Sequence, residues 1–99
     1  MISGNTCIGI LGGGQLARMS AMAAYRLGID VAILEKEKDS PAGQLTRHEY
    51  VGSVNGTALL RRFANACDAI TLENEFVDFR RLEYLERIGK TVVPGSPVI

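Results

Sequence analysis

Three consecutive glycines, Gly12, Gly13 and Gly14, are the residues of this sequence best suited to hold a small charged group. They follow a short apolar run and precede an amphipathic helical pattern, which predicts a strand, a tight turn and the N-terminus of a helix. Unpaired backbone N–H groups at a helix N-terminus can bind a phosphate or another anion. The first forty residues therefore predict an anion-binding turn.

One interpretation of this turn is a dinucleotide site. Gly12, Gly14 and Ala17 match the Gly-x-Gly-x-x-Ala pattern, in which small residues admit a pyrophosphate and bring the helix close to the strand. Glu35, at the end of the next predicted strand, lies where such domains place a ribose-binding acid. A nicotinamide-binding dehydrogenase domain is thus one hypothesis. The alternative for Glu35, which we favour, is a solvated charge within a Glu-Lys-Glu-Lys run.

A second candidate site is acidic. Glu73 and Glu75 follow the predicted strand 69–72. In an open parallel sheet, ligands bind beyond the carboxyl ends of the strands, so we expect both carboxylates to face the glycine turn across a crevice. There they would accept hydrogen bonds from hydroxyl or amino groups of a ligand. The alternative is an acidic loop without a partner.

Alternating strand and helix patterns predict the elements that position these residues. Strands are predicted at residues 7–11, 31–34, 49–52, 69–72 and 91–93, and helices over 15–27, from about 57 and from an N-cap at Asp78. This order predicts an α/β fold: a Rossmann-like, three-layer domain with a mainly parallel sheet.

The first predicted helix carries its larger apolar residues at helical spacing. Leu16, Met19, Ala23 and Leu27 recur as one stripe, which predicts the side that faces the core. Gly28 stands where a glycine ends a helix, as Gly89 does for the last helix.

Composition excludes several classes of protein. The 99 residues carry 11 basic and 11 acidic side chains, and their net charge of +0 and lack of a basic stripe argue against nucleic acid as a partner. No apolar run is long enough to span a membrane, and no signal-peptide pattern is present, which predicts a cytoplasmic protein.

Other reactive side chains are scattered. Cys7 and Cys67 are predicted to be reduced, buried thiols, with a disulfide or a metal site as the alternative. His48, the only histidine, is predicted to be exposed, and no catalytic triad can be assembled around it. Gln15 and Leu16 follow the glycines where an ATP-binding P-loop needs Lys and Ser or Thr, so no self-contained ATP site is predicted.

The combined motifs resemble a known enzyme family. The run from Ile8 to Met19, Ser40-Pro41-Ala42 and the stretch 71–77 are similar to the opening of 5-(carboxyamino)imidazole ribonucleotide synthase. This ATP-grasp family was long described as the ATPase subunit of phosphoribosylaminoimidazole carboxylase. The resemblance spans nearly the whole chain and implies a pre-ATP-grasp substrate domain over residues 1–94, with 95–99 as a linker toward an absent ATP-grasp domain.

The resemblance also implies a reaction. The family joins bicarbonate to the amino group of 5-aminoimidazole ribonucleotide in purine biosynthesis, and ATP and Mg²⁺ bind outside the part present here. Such an enzyme would be cytoplasmic and is usually a homodimer. Carried onto this chain, the substrate-binding residues are Gly13, Gly14, Gln15, Leu16, Glu73 and Glu75. No catalytic residue or metal ligand falls within the chain, so it is predicted to lack ligase activity alone.

Three other interpretations stay open at this point. They are the nicotinamide-binding module, the similar first domain of the ATP-grasp glycinamide ribonucleotide transformylase, and a non-catalytic α/β interaction domain.

Overall fold

The computed structural model describes residues 6–73 and 77–93, which form five strands and three helices. The elements are, in chain order, β1 (Cys7–Leu11), α1 (Gln15–Arg26), β2 (Asp30–Glu35), β3 (His48–Val51), α2 (Thr57–Asn65), β4 (Ala69–Leu72), α3 (Phe79–Arg87) and β5 (Thr91–Val93). The strands form one sheet in the order β3-β2-β1-β4-β5, and every pairing is parallel. The predicted α/β, Rossmann-like fold is confirmed.

The two faces of the sheet are covered differently. Leu60 and Phe63 of α2 and Leu82 and Leu85 of α3 are buried in one hydrophobic cluster. On the opposite face, α1 is the helix that packs on β1 and β2. The crossover from β1 through α1 to β2 runs toward the β3 edge, whereas those through α2 and α3 run toward the β5 edge. Because parallel crossovers are right-handed, opposite directions put the helices on opposite faces of the sheet.

The predicted core side of α1 is wrong. Leu16 and Met19 are each 64% exposed and Leu27 is 77% exposed, whereas Ala17 and Ala21 are buried. Small residues let the helix approach the sheet closely, so the larger apolar side chains are left on its flank. In α2, by contrast, the large side chains of Leu60 and Phe63 are fully buried together with Ala64.

A loop takes the place of a helix between β2 and β3. Ala42 packs in the same buried cluster as Ala17, with Leu45 against it. The Arg18 side chain donates a hydrogen bond of 2.7 Å to the Pro41 carbonyl, and Ala42 N donates one of 2.8 Å to the Gly13 carbonyl. These bonds hold the loop against the glycine turn.

The element boundaries agree closely with the sequence patterns. The strands Cys7–Leu11, Ala69–Leu72 and Thr91–Val93 match their predictions, while β3 begins at His48 rather than at Glu49. Gly28 and Gly89 follow α1 and α3 with positive φ angles of 74° and 94°. The proposed linker, 95–99, lies outside the described residues. No helix in the described part of the chain is long and apolar enough to cross a membrane.

Candidate functional site

The glycine turn and Glu73 meet at the carboxyl edge of the sheet. Leu11 and Leu72 are partners in the parallel ladder of β1 and β4, so the residues that follow each strand emerge side by side. Glu73 N donates a hydrogen bond of 3.1 Å to the Leu11 carbonyl. Glu73 therefore lies directly against the glycine turn and not across a crevice from it. Glu75 lies outside the described residues.

The Glu73 carboxylate lies at the N-terminus of α1. Its Oε2 accepts a hydrogen bond of 3.2 Å from Ala17 N. α1 has no acidic residue in its first turn, and its N-cap, Gly14, makes no side-chain cap. A helix N-terminus carries unpaired N–H groups and a partial positive charge, so Glu73 supplies from a distant strand the anion that α1 lacks locally.

Two glycines make room for this carboxylate. A Cβ atom on Gly12 would lie 2.7 Å from Glu73 Oε1, and one on Gly14 would lie 2.6 Å from Oε2. Real Cβ atoms essentially never approach oxygen that closely, so a side chain at either position would displace the carboxylate. Gly12 also has a φ of 118°, a conformation that favours glycine.

The exposed flank of α1 forms one wall of a cavity of about 490 Å³. Leu16 and Glu73 both line it, as do Ser20 of α1 and Thr71 of β4. A carboxylate and two hydroxyl groups beside apolar side chains suit a ligand that carries both hydrogen-bonding groups and apolar surface. Of the predicted binding residues, the structure thus brings Leu16 and Glu73 together.

Gly13 and Gly14 line a different cavity, of about 260 Å³, with Glu35 and Ser40. Gln15 is exposed at the first position of α1. The binding roles of these residues stay predictions, because their placement alone identifies no ligand.

Glu35 has a structural role that the sequence reasoning missed. Its Oε1 accepts a hydrogen bond of 3.0 Å from Gly13 N, and its Oε2 accepts bonds of 2.7 Å from Lys36 N and 3.2 Å from Glu37 N. The carboxylate therefore ties the end of β2 to the glycine turn. It is therefore not the simple solvated charge that we favoured.

Polar residues after β3 were also missed. Ser53 and Asn55 line a cavity of about 230 Å³ with Gly12 and Glu35, at the same edge of the sheet. Their position after a strand of a parallel sheet is the signal that could have marked them. Because residues 48–52 show only a weak strand pattern, the residues that follow this strand were not considered as part of a site.

The remaining reactive side chains lie at the opposite, amino edge of the sheet. His48 Nε2 lies 3.0 Å from Asp30 Oδ2, where β2 and β3 begin. Cys7 and Cys67 are free and buried, as predicted. Burial raises the pKa of the Cys7 thiol and raises that of Cys67 to about 12, which leaves both thiols unreactive near neutral pH. None of these groups contributes to the candidate site.

The site fits a hydrogen-bonding ligand better than ATP phosphates. The Glu73 carboxylate fills the space beside Gly12 and Gly14, which we call the glycine notch and where a phosphate would otherwise be held. Two anions in that place would repel each other. In residues 6–73 and 77–93, no group of three His, Cys, Asp or Glu side chains is arranged to hold a metal ion.

These features define a Rossmann-like α/β domain with a candidate site at the carboxyl edge of its sheet. Residues 5–99 match the family described as the ribonucleotide synthetase preATP-grasp domain, and the chain belongs to that family.

Similar proteins are found both by sequence and by structure. The N5-carboxyaminoimidazole ribonucleotide synthase of Bacillus subtilis (strain 168) is 40% identical over 79 residues, which are 80% of this chain and 21% of that protein. A crystal structure of an N5-carboxyaminoimidazole ribonucleotide synthetase in complex with ADP superimposes with a TM-score of 0.88 at 38% identity, covering 96% of this chain and 25% of that chain.

A third similar protein carries the ribonucleotide itself. The Aspergillus clavatus N5-carboxyaminoimidazole synthase, in complex with ADP and 5-aminoimidazole ribonucleotide, superimposes with a TM-score of 0.77 at 37% identity, covering 89% of this chain and 23% of that chain. The family resemblance is confirmed, and the dehydrogenase and transformylase alternatives are not favoured. The chain spans about one fifth of the length of the Bacillus relative.

Proposed function

We propose that this chain is the substrate-side domain of an ATP-dependent ligase that carboxylates 5-aminoimidazole ribonucleotide with bicarbonate in de novo purine biosynthesis. The observation that carries the proposal is the pairing of Glu73 with the glycine turn beside the cavity on α1, in a fold shared with the Aspergillus clavatus complex. Glu73 would accept hydrogen bonds from the ribose hydroxyls or the amino group of the ribonucleotide.

The other predicted contacts belong to the same proposal. Gly13, Gly14, Gln15, Leu16 and Glu75 would line the ribonucleotide side of the cleft. ATP and Mg²⁺ would be held by other parts of the whole enzyme, since the glycine notch is filled by a carboxylate. Bicarbonate as the second substrate, a homodimer and a cytoplasmic location come from the family resemblance alone and stay predictions.

Ligand-dependent unfolding of the 99-residue chain tests the binding proposal. A ligand present at 100 times its dissociation constant stabilises the folded state by about 2.7 kcal/mol. For a domain of this size, that raises Tm by roughly 10 °C or more. We expect this response to 5-aminoimidazole ribonucleotide, with no response to NAD⁺ and none to ATP.

Three outcomes would contradict the proposal. Stabilisation by NAD⁺ would favour the dehydrogenase alternative, and the absence of any response would favour an interaction domain. A turnover assay provides a separate check, because the chain alone is expected to show no ATP- and bicarbonate-dependent carboxylation. Measurable turnover would show that the chain contains catalytic residues that we have not identified.

A further inference from the structure

The N-terminus of α1 already holds an anion, and that anion belongs to the protein. Glu73 reaches it from the end of β4, 56 residues from its hydrogen-bond partner Ala17. The carboxylate accepts a hydrogen bond at Oε2 from Ala17 N, and it fills the space that Gly12 and Gly14 leave because they have no side chain. In dinucleotide-binding domains, glycines at these two positions admit the pyrophosphate of the ligand.

We propose that Glu73 is a specificity-determining residue, whose carboxylate takes the place of a phosphate and so excludes phosphate groups from the glycine turn. A carboxylate offers about four acceptor positions, of which Ala17 N uses one. The cleft therefore recognises hydrogen-bond donors of its ligand, hydroxyl or amino groups. The fold keeps the glycine spacing of a dinucleotide-binding domain. At the turn, however, the Glu73 carboxylate presents a negative charge to the ligand, where the helix N-terminus alone would present a partial positive charge.

The orientation of the substrate follows from this exclusion. The inference rests on the proposed function for the identity of that substrate, a ribonucleotide. Its donor groups would face Glu73, and its phosphate would point away from α1, since a second anion at the turn is repelled. The apolar wall formed by Leu16 and Met19 would then contact the base or the ribose.

A titration with inorganic pyrophosphate tests the exclusion without using the substrate. Backbone amide signals of the ¹⁵N-labelled 99-residue chain would be followed in the natural sequence, in Glu73→Ala and in Glu83→Ala. Glu83 is an exposed residue of α3, so its substitution changes the net charge equally at a distant place.

We expect no shift of the amides of residues 14–17 in the natural sequence or in Glu83→Ala. In Glu73→Ala, pyrophosphate should shift those amides, with an affinity at least about tenfold higher, because a repelling charge within a few ångströms has been removed. Glu73→Ser also leaves the space between Gly12 and Gly14 open, because its side chain is too short to reach it. It should gain affinity for pyrophosphate in the same way, which provides the same test if Glu73→Ala does not fold.

Two results would overturn the proposal. One is pyrophosphate binding at the turn of the natural chain, and the other is no gain in affinity in a folded Glu73→Ala or Glu73→Ser variant over Glu83→Ala. Failure of 5-aminoimidazole ribonucleotide to bind would count against the proposed function but would leave this result unaffected, because pyrophosphate reports on the turn alone.

Discussion

The helices α1 and α3 both begin at a carboxylate, but the two carboxylates come from different places. At α3, the N-cap Asp78 accepts a hydrogen bond of 3.0 Å from Arg80 N, two residues away. At α1, the N-cap is Gly14, and Glu73 arrives from another strand. Asp78 is a local cap, which accepts from a backbone N–H group of its own helix only. Glu73 is a remote cap, because it joins the end of β4 to the start of α1 beside the end of β1.

The two carboxylates therefore have different roles: Asp78 stabilises its own helix, whereas Glu73 also forms part of the candidate site. Asp78 is exposed, and its partner Arg80 is a neighbour on the same helix, so its loss should affect α3 alone. Glu73 contacts the glycine turn and lines the cavity on α1. A change there should therefore alter both the stability of the domain and the shape of the cleft.

The largest effect on the free energy of unfolding is expected when a side chain is introduced at Gly14, next to the Glu73 carboxylate. Gly14 and Gly56 are the N-caps of α1 and α2, with nearly equal φ angles of −76° and −78°. A Cβ on Gly14 would lie 2.6 Å from Glu73 Oε2, whereas one on Gly56 would lie 3.4 Å from its nearest neighbour, the Ser53 carbonyl. Gly14→Ala would push the flexible end of the Glu73 side chain away and would also replace a glycine N-cap by alanine, so it should lower the free energy of unfolding by about 1.5–2 kcal/mol.

Gly56→Ala is the matched control for that measurement. It makes the same chemical change at the same helix position without displacing a carboxylate, so urea unfolding should show only the cost of replacing a glycine N-cap by alanine, about 0.5–1 kcal/mol. Equal losses in the two variants would mean that Gly14 matters as an N-cap and not as space for Glu73.

An intermediate effect is expected from removing the remote carboxylate. Glu73→Ala deletes the acceptor for Ala17 N and the negative charge at the start of α1, so we expect a loss of about 1 kcal/mol, typical of a helix cap. Glu73→Gln keeps an acceptor oxygen for Ala17 N, so its free energy of unfolding should fall by less than that of Glu73→Ala. If urea unfolding gives the alanine and glutamine variants the stability of the natural chain, Glu73 does not cap α1.

The smallest effect is expected at the local cap and depends on pH. The backbone N–H and the side chain of Arg80 lower the pKa of Asp78 below its ordinary value. Because the pKa is depressed in the folded state, the stabilisation is complete above about pH 4 and is lost as the pH falls through the folded pKa. The Tm difference between the natural chain and Asp78→Asn should therefore narrow below about pH 4.

Thermal unfolding between pH 2 and 7 at low salt measures this effect, since added salt screens an exposed pair. A Tm difference that stays constant across this range would contradict a charge-dependent cap at Asp78. The comparison of the two helices would then rest on Glu73 alone.

Much of this fold could be predicted because its signals are local. The strand Cys7–Leu11 is an apolar run that ends in glycine, and Asp78 lies directly before an amphipathic pattern, so both were located to the residue. The buried side of α1 could not be predicted in this way. Leu16 and Met19 are more hydrophobic than Ala17 and Ala21, yet the alanines are buried, because their small size allows the close approach of helix and sheet.

By itself, the sequence determined the order of strands and helices, the helix ends, the glycine turn and the membership of a family. Only the tertiary structure decided what the turn holds. Glu35 and Glu73 lie 22 and 56 residues from the backbone N–H groups that they accept from, and each is brought there by a parallel pairing of β1, with β2 or with β4. Local patterns encode contacts within a few residues, but a contact across the sheet depends on strand order and register, which form only when the whole domain packs.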